Sequence, residues 1–190
     1  MPRNIEIKAR VQDVDKLTKL VFKLTDSLGS TLVQEDTFFN VPHGRLKLRI
    51  VDNSPDGELI FYDRSNQTGP KLSVYQKSKV DDADCIKATL ARALGVQGVV
   101  HKVRQLYIYE QTRIHIDQVD ALGTFMELEV CLNDDQSVQQ GEQIAESIMK
   151  SLDISPSALE SGAYLDLLTV LKSSRASSSD EDGDPGHQKS

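Results

Sequence analysis

Charged residues occupy alternate positions in five stretches of the chain, with mostly apolar residues between them: Glu6-x-Lys8-x-Arg10, Arg45-x-Lys47-x-Arg49, Lys102-x-Arg104, Arg113-x-His115-x-Asp117 and Glu127-x-Glu129. Successive side chains of a β-strand point to opposite faces, so each stretch predicts a strand with one charged row and one apolar row. The first strand is expected over Arg3 to Val11, and others over Leu32 to Phe39, Arg45 to Val51, Glu58 to Arg64, Lys71 to Val80, Gly98 to Glu110, Thr112 to Val119 and Phe125 to Leu132. Turn residues such as Asn53-Ser54-Pro55-Asp56-Gly57 separate them, and the short connections favour antiparallel neighbours. Apolar residues at helical spacing predict four helices: Val14 to Leu28, Asp82 to Leu94, Ser137 to Leu152 and Ser157 to Leu171.

The alternation allows two arrangements. The charged rows can face water over an apolar core, or the sheet can close on itself with the charged rows inside. Exposed strand faces usually mix Thr, Ser, Gln and Lys, whereas these segments alternate Arg, Lys and Glu, which favours the inward arrangement. The expected fold class is therefore α+β: a closed antiparallel β-barrel, a tunnel with a charged lumen, flanked by helices that cover its apolar outside.

Composition narrows the function. At 190 residues the chain suits one domain with a sizeable core, expected over residues 1–172. From Ser173 to Ser190 the Ser-rich acidic sequence is too polar to bury anything and is expected to be a disordered tail. The net charge of −7 argues against a nucleic-acid binder, so any anion site must be local. No apolar run approaches the length of a membrane span, and the start Met1-Pro2-Arg3-Asn4 lacks a signal-peptide core, so no membrane partner and a cytoplasmic location are expected. Cys85 and Cys131 are too few and too isolated for a disulfide framework, and read as two reduced thiols.

Gathering Arg and Lys side chains in a partly dehydrated tunnel is costly unless an anion balances them, so the cations point to a polyanionic ligand. Lys8, Lys47, Arg49, Arg64, Lys102, Arg104 and Arg113 are the candidate phosphate clamps, the arginines as planar forks and the lysines as point charges. Glu6, Asp117, Glu127 and Glu129 supply the oxygen ligands that Mg2+ or Mn2+ prefer. His115 shares their face and reads as a polar wall residue.

These residues, together with Leu59-Ile60-Phe61-Tyr62-Asp63-Arg64, Thr68-Gly69-Pro70-Lys71 and Gly123-Thr124-Phe125-Met126-Glu127-Leu128-Glu129-Val130, resemble the CYTH superfamily of triphosphate tunnel metalloenzymes. The resemblance runs from about Arg3 to Leu171 and is nearest to the class IV cyclase branch. It implies a triphosphate or nucleoside triphosphate substrate, Mg2+ or Mn2+ as cofactor, and Glu6, Lys8, Glu127 and Glu129 as catalytic residues. It leaves two reactions open: a triphosphatase, in which water attacks the terminal phosphorus, and an adenylyl cyclase, which turns ATP into cyclic AMP and pyrophosphate. One departure stands out. The family's Glu-x-Glu-x-Lys signature reads Asn4-x-Glu6-x-Lys8 here. A neutral amide contributes no charge to a metal site, which keeps a third reading open, a catalytically weakened nucleotide- or polyphosphate-binding module.

Overall fold

The structure, a computed structural model, describes residues 1–179. Eight strands, β1 (Arg3–Arg10), β2 (Ser30–Phe39), β3 (Arg45–Val51), β4 (Gly57–Arg64), β5 (Lys71–Val80), β6 (Val96–Tyr109), β7 (Thr112–Val119) and β8 (Gly123–Cys131), form a closed barrel in the order β1-β5-β4-β3-β2-β6-β7-β8. Every neighbouring pair is antiparallel. Closure comes from β1, which pairs with β5 on one side and with β8 on the other, placing Glu6 opposite Glu129 and Lys8 opposite Glu127. A closed sheet has no free edge, so every strand spends its backbone groups on neighbours.

The apolar rows face outward, and those of β1, β3, β7 and β8 are covered by helices, while Val99 and Val103 of β6 remain exposed. Ile5, Ile7 and Ala9 of β1 join Ile114 and Ile116 of β7 and Met126, Leu128 and Val130 of β8 under α1 (Val14–Thr25) and α3 (Val138–Ser151). Leu48 and Phe39 lie under α2 (Ala83–Leu94), which begins with Asp82 accepting from the Cys85 backbone N–H at 2.9 Å. Gly141 lets α3 approach β1 closely, because a Cβ there would stand 2.6 Å from Ile5 Cγ1. Among the described residues, no helix is long and apolar enough to cross a membrane. Cys85 and Cys131 are both free.

The last helix departs from expectation. The span Ser157 to Leu171 is not one helix: Pro156–Ala158 forms a single 3-10 turn, an extended strap follows, and α4 runs from Tyr164 to Ser179. Backbone pairing explains the interruption, since Leu159 bridges Ala9 and the Glu160 N–H donates to the Lys8 carbonyl at 2.9 Å. Nor does α4 cover the outside of the sheet. Its first residues, Tyr164 and Leu165, enter one end of the barrel and pack with Phe38, Ile60, Tyr62, Val100, Val119 and Phe125. Gly98 makes room for this cap, because a Cβ there would stand 2.5 Å from Leu165 Cδ1. The lumen is thus charged over part of its length and apolar at the capped end. α4 also continues past Lys172, so the expected tail is helical as far as Ser179, and residues 180–190 lie outside the described residues.

Candidate functional site

Inward-facing residues of all eight strands, with Ala163 and Tyr164 at the cap, line a cavity of about 90 Å3. All seven proposed clamps line it, as do Glu6, Glu127 and Glu129. The lining carries eight basic side chains, those seven and Lys77, against four carboxylates, the fourth being Asp36. The rows at Arg10 and Arg45 end outside it, at the capped end: Arg10 pairs with Glu160 at 3.1 Å and Arg45 with Asp166 at 2.7 Å.

Two buried aspartates organise the cations. Asp36, 2% exposed, receives Arg49 Nε and Nη2 at 2.7 Å each and Lys47 Nζ at 2.8 Å. Burial alone would raise its pKa, but Arg49 and Lys47 hold it well below the carboxylate range. Asp117, fully buried, receives Arg104 Nε and Nη2 at 2.6 and 2.5 Å and the Tyr164 hydroxyl at 3.0 Å, with Lys102 at 3.5 Å. Asp117 lies behind the lining with its oxygens taken, so its position is that of an anchor for Arg104 and Lys102, not of a donor open to the lumen. Tyr164 packs into the barrel and also lies beneath the Lys8 ammonium, which sits 3.7 Å from its ring centre.

On the opposite wall, Glu127 meets Lys8 at 3.3 Å and Arg104 at 2.7 Å, Glu6 meets Arg64 at 3.1 Å, and Glu129 meets Arg113 at 3.6 Å. His115 is buried behind Glu127, 3.8 Å from it, and burial together with Arg104 pushes its pKa down, so it stays neutral. Burial pushes the Glu6 carboxyl up; Arg64 opposes this, and Glu129 and Glu127 add to it by repulsion. Three mutually repelling carboxylates on adjoining strands form an oxygen-donor set that suits a hard dication. Among the described residues, however, no three His, Cys, Asp or Glu side chains are gathered closely enough to hold a metal ion by themselves.

Burial also lowers the pKa values of the lumen lysines. Lys47 is pushed down to about 7, by burial first and then by Arg49 beside it, with Asp36 opposing. Lys8 and Lys102 are lowered by the same cause. Lys71, which sequence reasoning quoted only as part of a motif, is 1% exposed and its ammonium donates to the carbonyls of Gln67, Glu160 and Ser161 at 3.2, 3.3 and 3.1 Å. Lys8 likewise donates to the Gly162 carbonyl at 3.0 Å. Asp36 was also missed, because β2 carries Glu35 and Asp36 side by side and shows no alternation; pairing its parity with Phe38 would have been the available signal.

Comparison with known proteins identifies the class. The CYTH domain profile matches residues 2–164, and the chain belongs to that family. It is 28% identical over 179 residues to a protein named "Putative adenylate cyclase" of Methanocaldococcus jannaschii, covering 86% of this chain and 97% of the relative. Adenylate cyclase CyaB of Aeromonas hydrophila is 26% identical over 168 residues, covering 84% of this chain and 85% of that one. The barrel superposes on the PH1012 protein of Pyrococcus horikoshii OT3 with a TM-score of 0.74 at 22% identity, covering 86% of this chain and 98% of that one.

Proposed function

We propose that the protein is a divalent-metal-dependent phosphohydrolase that cleaves a triphosphate-containing substrate held in the barrel. The observation that carries this reading is the charge balance of the lining, eight cations against four carboxylates. A triphosphate carries about four negative charges near neutral pH, one on each inner phosphate and about two on the terminal one, which matches the formal excess. Tyr164 and Leu165 fill the capped end, so any larger group attached to the phosphate chain would stay on the open side.

The residues present account for most of what phosphoryl transfer demands, which is positioning and neutralisation of charge. Asp36 and Asp117 preset the Arg49 and Arg104 guanidinium planes, so little side-chain entropy is lost when phosphate oxygens arrive. Lys8, Lys47 and Lys102 add point charges that strengthen as charge gathers on the leaving oxygen, and the apolar cap limits entry of bulk water. Glu6, Glu127 and Glu129 would hold a divalent ion. When bound, such an ion supplies Lewis-acid neutralisation and makes water a better nucleophile.

The names of the curated relatives support a second reading, a cyclase acting on ATP in the same clamp. Incubation with Mg2+ or Mn2+ and either tripolyphosphate or ATP separates them. Release of inorganic phosphate supports the hydrolase, and cyclic AMP with pyrophosphate supports the cyclase. Binding without either product would leave only the binding module.

A further inference from the structure

The inward row of β8 does not end with its carboxylates. After Glu127 and Glu129 the next position of the same parity is Cys131, at the open end of the barrel, where it stands directly opposite Asn4 of β1. Its thiol is free and partly exposed. Arg113 of β7 donates through Nη2 to the Cys131 sulfur at 3.1 Å, while its Nε lies 3.6 Å from Glu129. The same guanidinium lines the cavity, so Cys131 touches one of the basic groups at the lumen mouth.

A second observation falls on the same spot. Asn4 is only 3% exposed, yet its side-chain oxygen has no hydrogen-bond partner. Directly opposed residues of antiparallel strands hold their Cβ atoms about 4.5–5.5 Å apart on one face, so this amide flanks the sulfur from β1 as Arg113 does from β7. Leaving a buried polar atom unpaired costs about 1–3 kcal/mol, which marks a place that a further polar atom would satisfy. An amide both donates and accepts, so it suits an oxygen carried by the sulfur whichever way it is turned. Structural cysteines are buried in apolar surroundings and inert, whereas reactive ones sit in electropositive, partly exposed places. Cys131 is of the second kind: below it lie eight basic side chains against four carboxylates.

We propose that Cys131 is a site of reversible oxidation by hydroperoxides, and that its oxidation weakens polyanion binding through Arg113. The oxidation site stands by itself; its effect on binding rests on the triphosphate reading. The sulfur attacks one peroxide oxygen and the O–O bond breaks. That oxygen stays on sulfur as a sulfenic acid, and the other leaves as water with the thiol proton. Sulfur loses two electrons and the peroxide gains them. A small thiol reverses the step by displacing water to form a mixed disulfide, from which a second thiol frees Cys131. The new oxygen accepts from Arg113 and holds the guanidinium at the rim, withdrawing it from an anion in the lumen.

The test uses the full chain carrying Cys85→Ser, in which Cys131 is the sole cysteine. The protein is treated with a small excess of hydrogen peroxide. Sulfenic acid is trapped with dimedone and mapped by mass spectrometry, and on untrapped samples the dissociation constant of inorganic tripolyphosphate is measured without divalent metal. The expected result is a dimedone adduct on Cys131, a dissociation constant raised about tenfold, the scale of one charged hydrogen bond, and recovery with dithiothreitol. With Cys131→Ser added, peroxide should leave affinity unaltered, which separates the thiol from oxidised methionine. Arg113→Met should bind more weakly at the outset and lose nothing further to peroxide. Absence of the adduct, under conditions that label Cys85 in the wild type, would overturn the proposal. So would an adduct with unchanged affinity, an equal loss without Cys131, or a full further loss in Arg113→Met. If the reduced protein binds no tripolyphosphate, the triphosphate reading falls and the switch with it; if binding is sound and the adduct is missing, only the switch falls.

Discussion

Lys47 offers a quantitative handle on the site. Its ammonium is enclosed by the barrel and pushed down to about 7, so in the free protein at pH 7 about half of it is neutral. A polyanion in the lumen favours the charged form, and binding therefore takes up a proton. Supplying that proton costs about 0.4 kcal/mol at pH 7 and about 2.7 kcal/mol at pH 9, from 1.36 kcal/mol per pH unit beyond the free pKa. The sign follows: affinity conferred by Lys47 is full below pH 7 and declines as pH rises above it. Replacing Lys47 by Met removes this contribution, so the ratio of wild-type to Lys47→Met affinity should fall about fifty-fold between pH 7 and pH 9. Isothermal titration with inorganic tripolyphosphate in the absence of divalent metal measures the ratio without turnover. Titration of Lys71, pushed down to about 8, and of the ligand itself occurs in both proteins and cancels. A ratio that stays constant across this range would refute the reasoning, because Lys47 would then be charged in both states or outside the site.

Three further outcomes follow from particular contacts. Glu127→Gln should abolish phosphate release while leaving the melting temperature within a few degrees, and retained turnover would remove Glu127 from the reacting centre. Asp117→Asn leaves Arg104 and Lys102 short of a buried counter-charge and should destabilise the fold by about 3–5 kcal/mol in urea titration; a loss below about 1 kcal/mol would show that Asp117 is not their anchor. Gly98→Val drives a Cβ against Leu165 and should cost about 1–3 kcal/mol by overpacking, and an unchanged urea midpoint would mean that α4 does not seat in the barrel.

The barrel was legible because its strands declare themselves by parity. In β1, β3, β7 and β8, charge and apolarity alternate without exception over the stretch that matters, and a one-residue slip would put every charge into the outer core. Parity likewise places the candidate clamps Lys8, Lys47, Arg49 and Arg113 on the inner face, where all four line the lumen. What could not be read is what depends on contacts between segments far apart in the chain. Leu159 reads with Leu165, Leu168 and Leu171 as one helical stripe, but the backbone from Leu159 to Gly162 is claimed by Ala9 and Lys8 of β1, and by Lys71 of β5. Propensity yields to such tertiary pairing. The same limit hid the role of α4. Its Tyr164 and Leu165 look like one more covering stripe, and only closure of the barrel gives them an end to fill. Asp117 illustrates a third case, since its residue type fits a metal ligand and only its neighbours, Arg104 and Tyr164, show its oxygens to be taken.

The central claim is that the basic side chains enclosed by the barrel, and not charge on its surface, bind a triphosphate. Its most direct test is the dissociation constant of inorganic tripolyphosphate at pH 7 for the wild type, for Arg49→Met in the lumen, and for Lys16→Met, whose side chain pairs with Asp153 on the outside. The expected result is one site in the wild type, weakened at least about tenfold by Arg49→Met, as loss of a charged hydrogen-bonding group demands, and unaltered by Lys16→Met. Equal weakening by both substitutions, or no binding to the wild type, would contradict it.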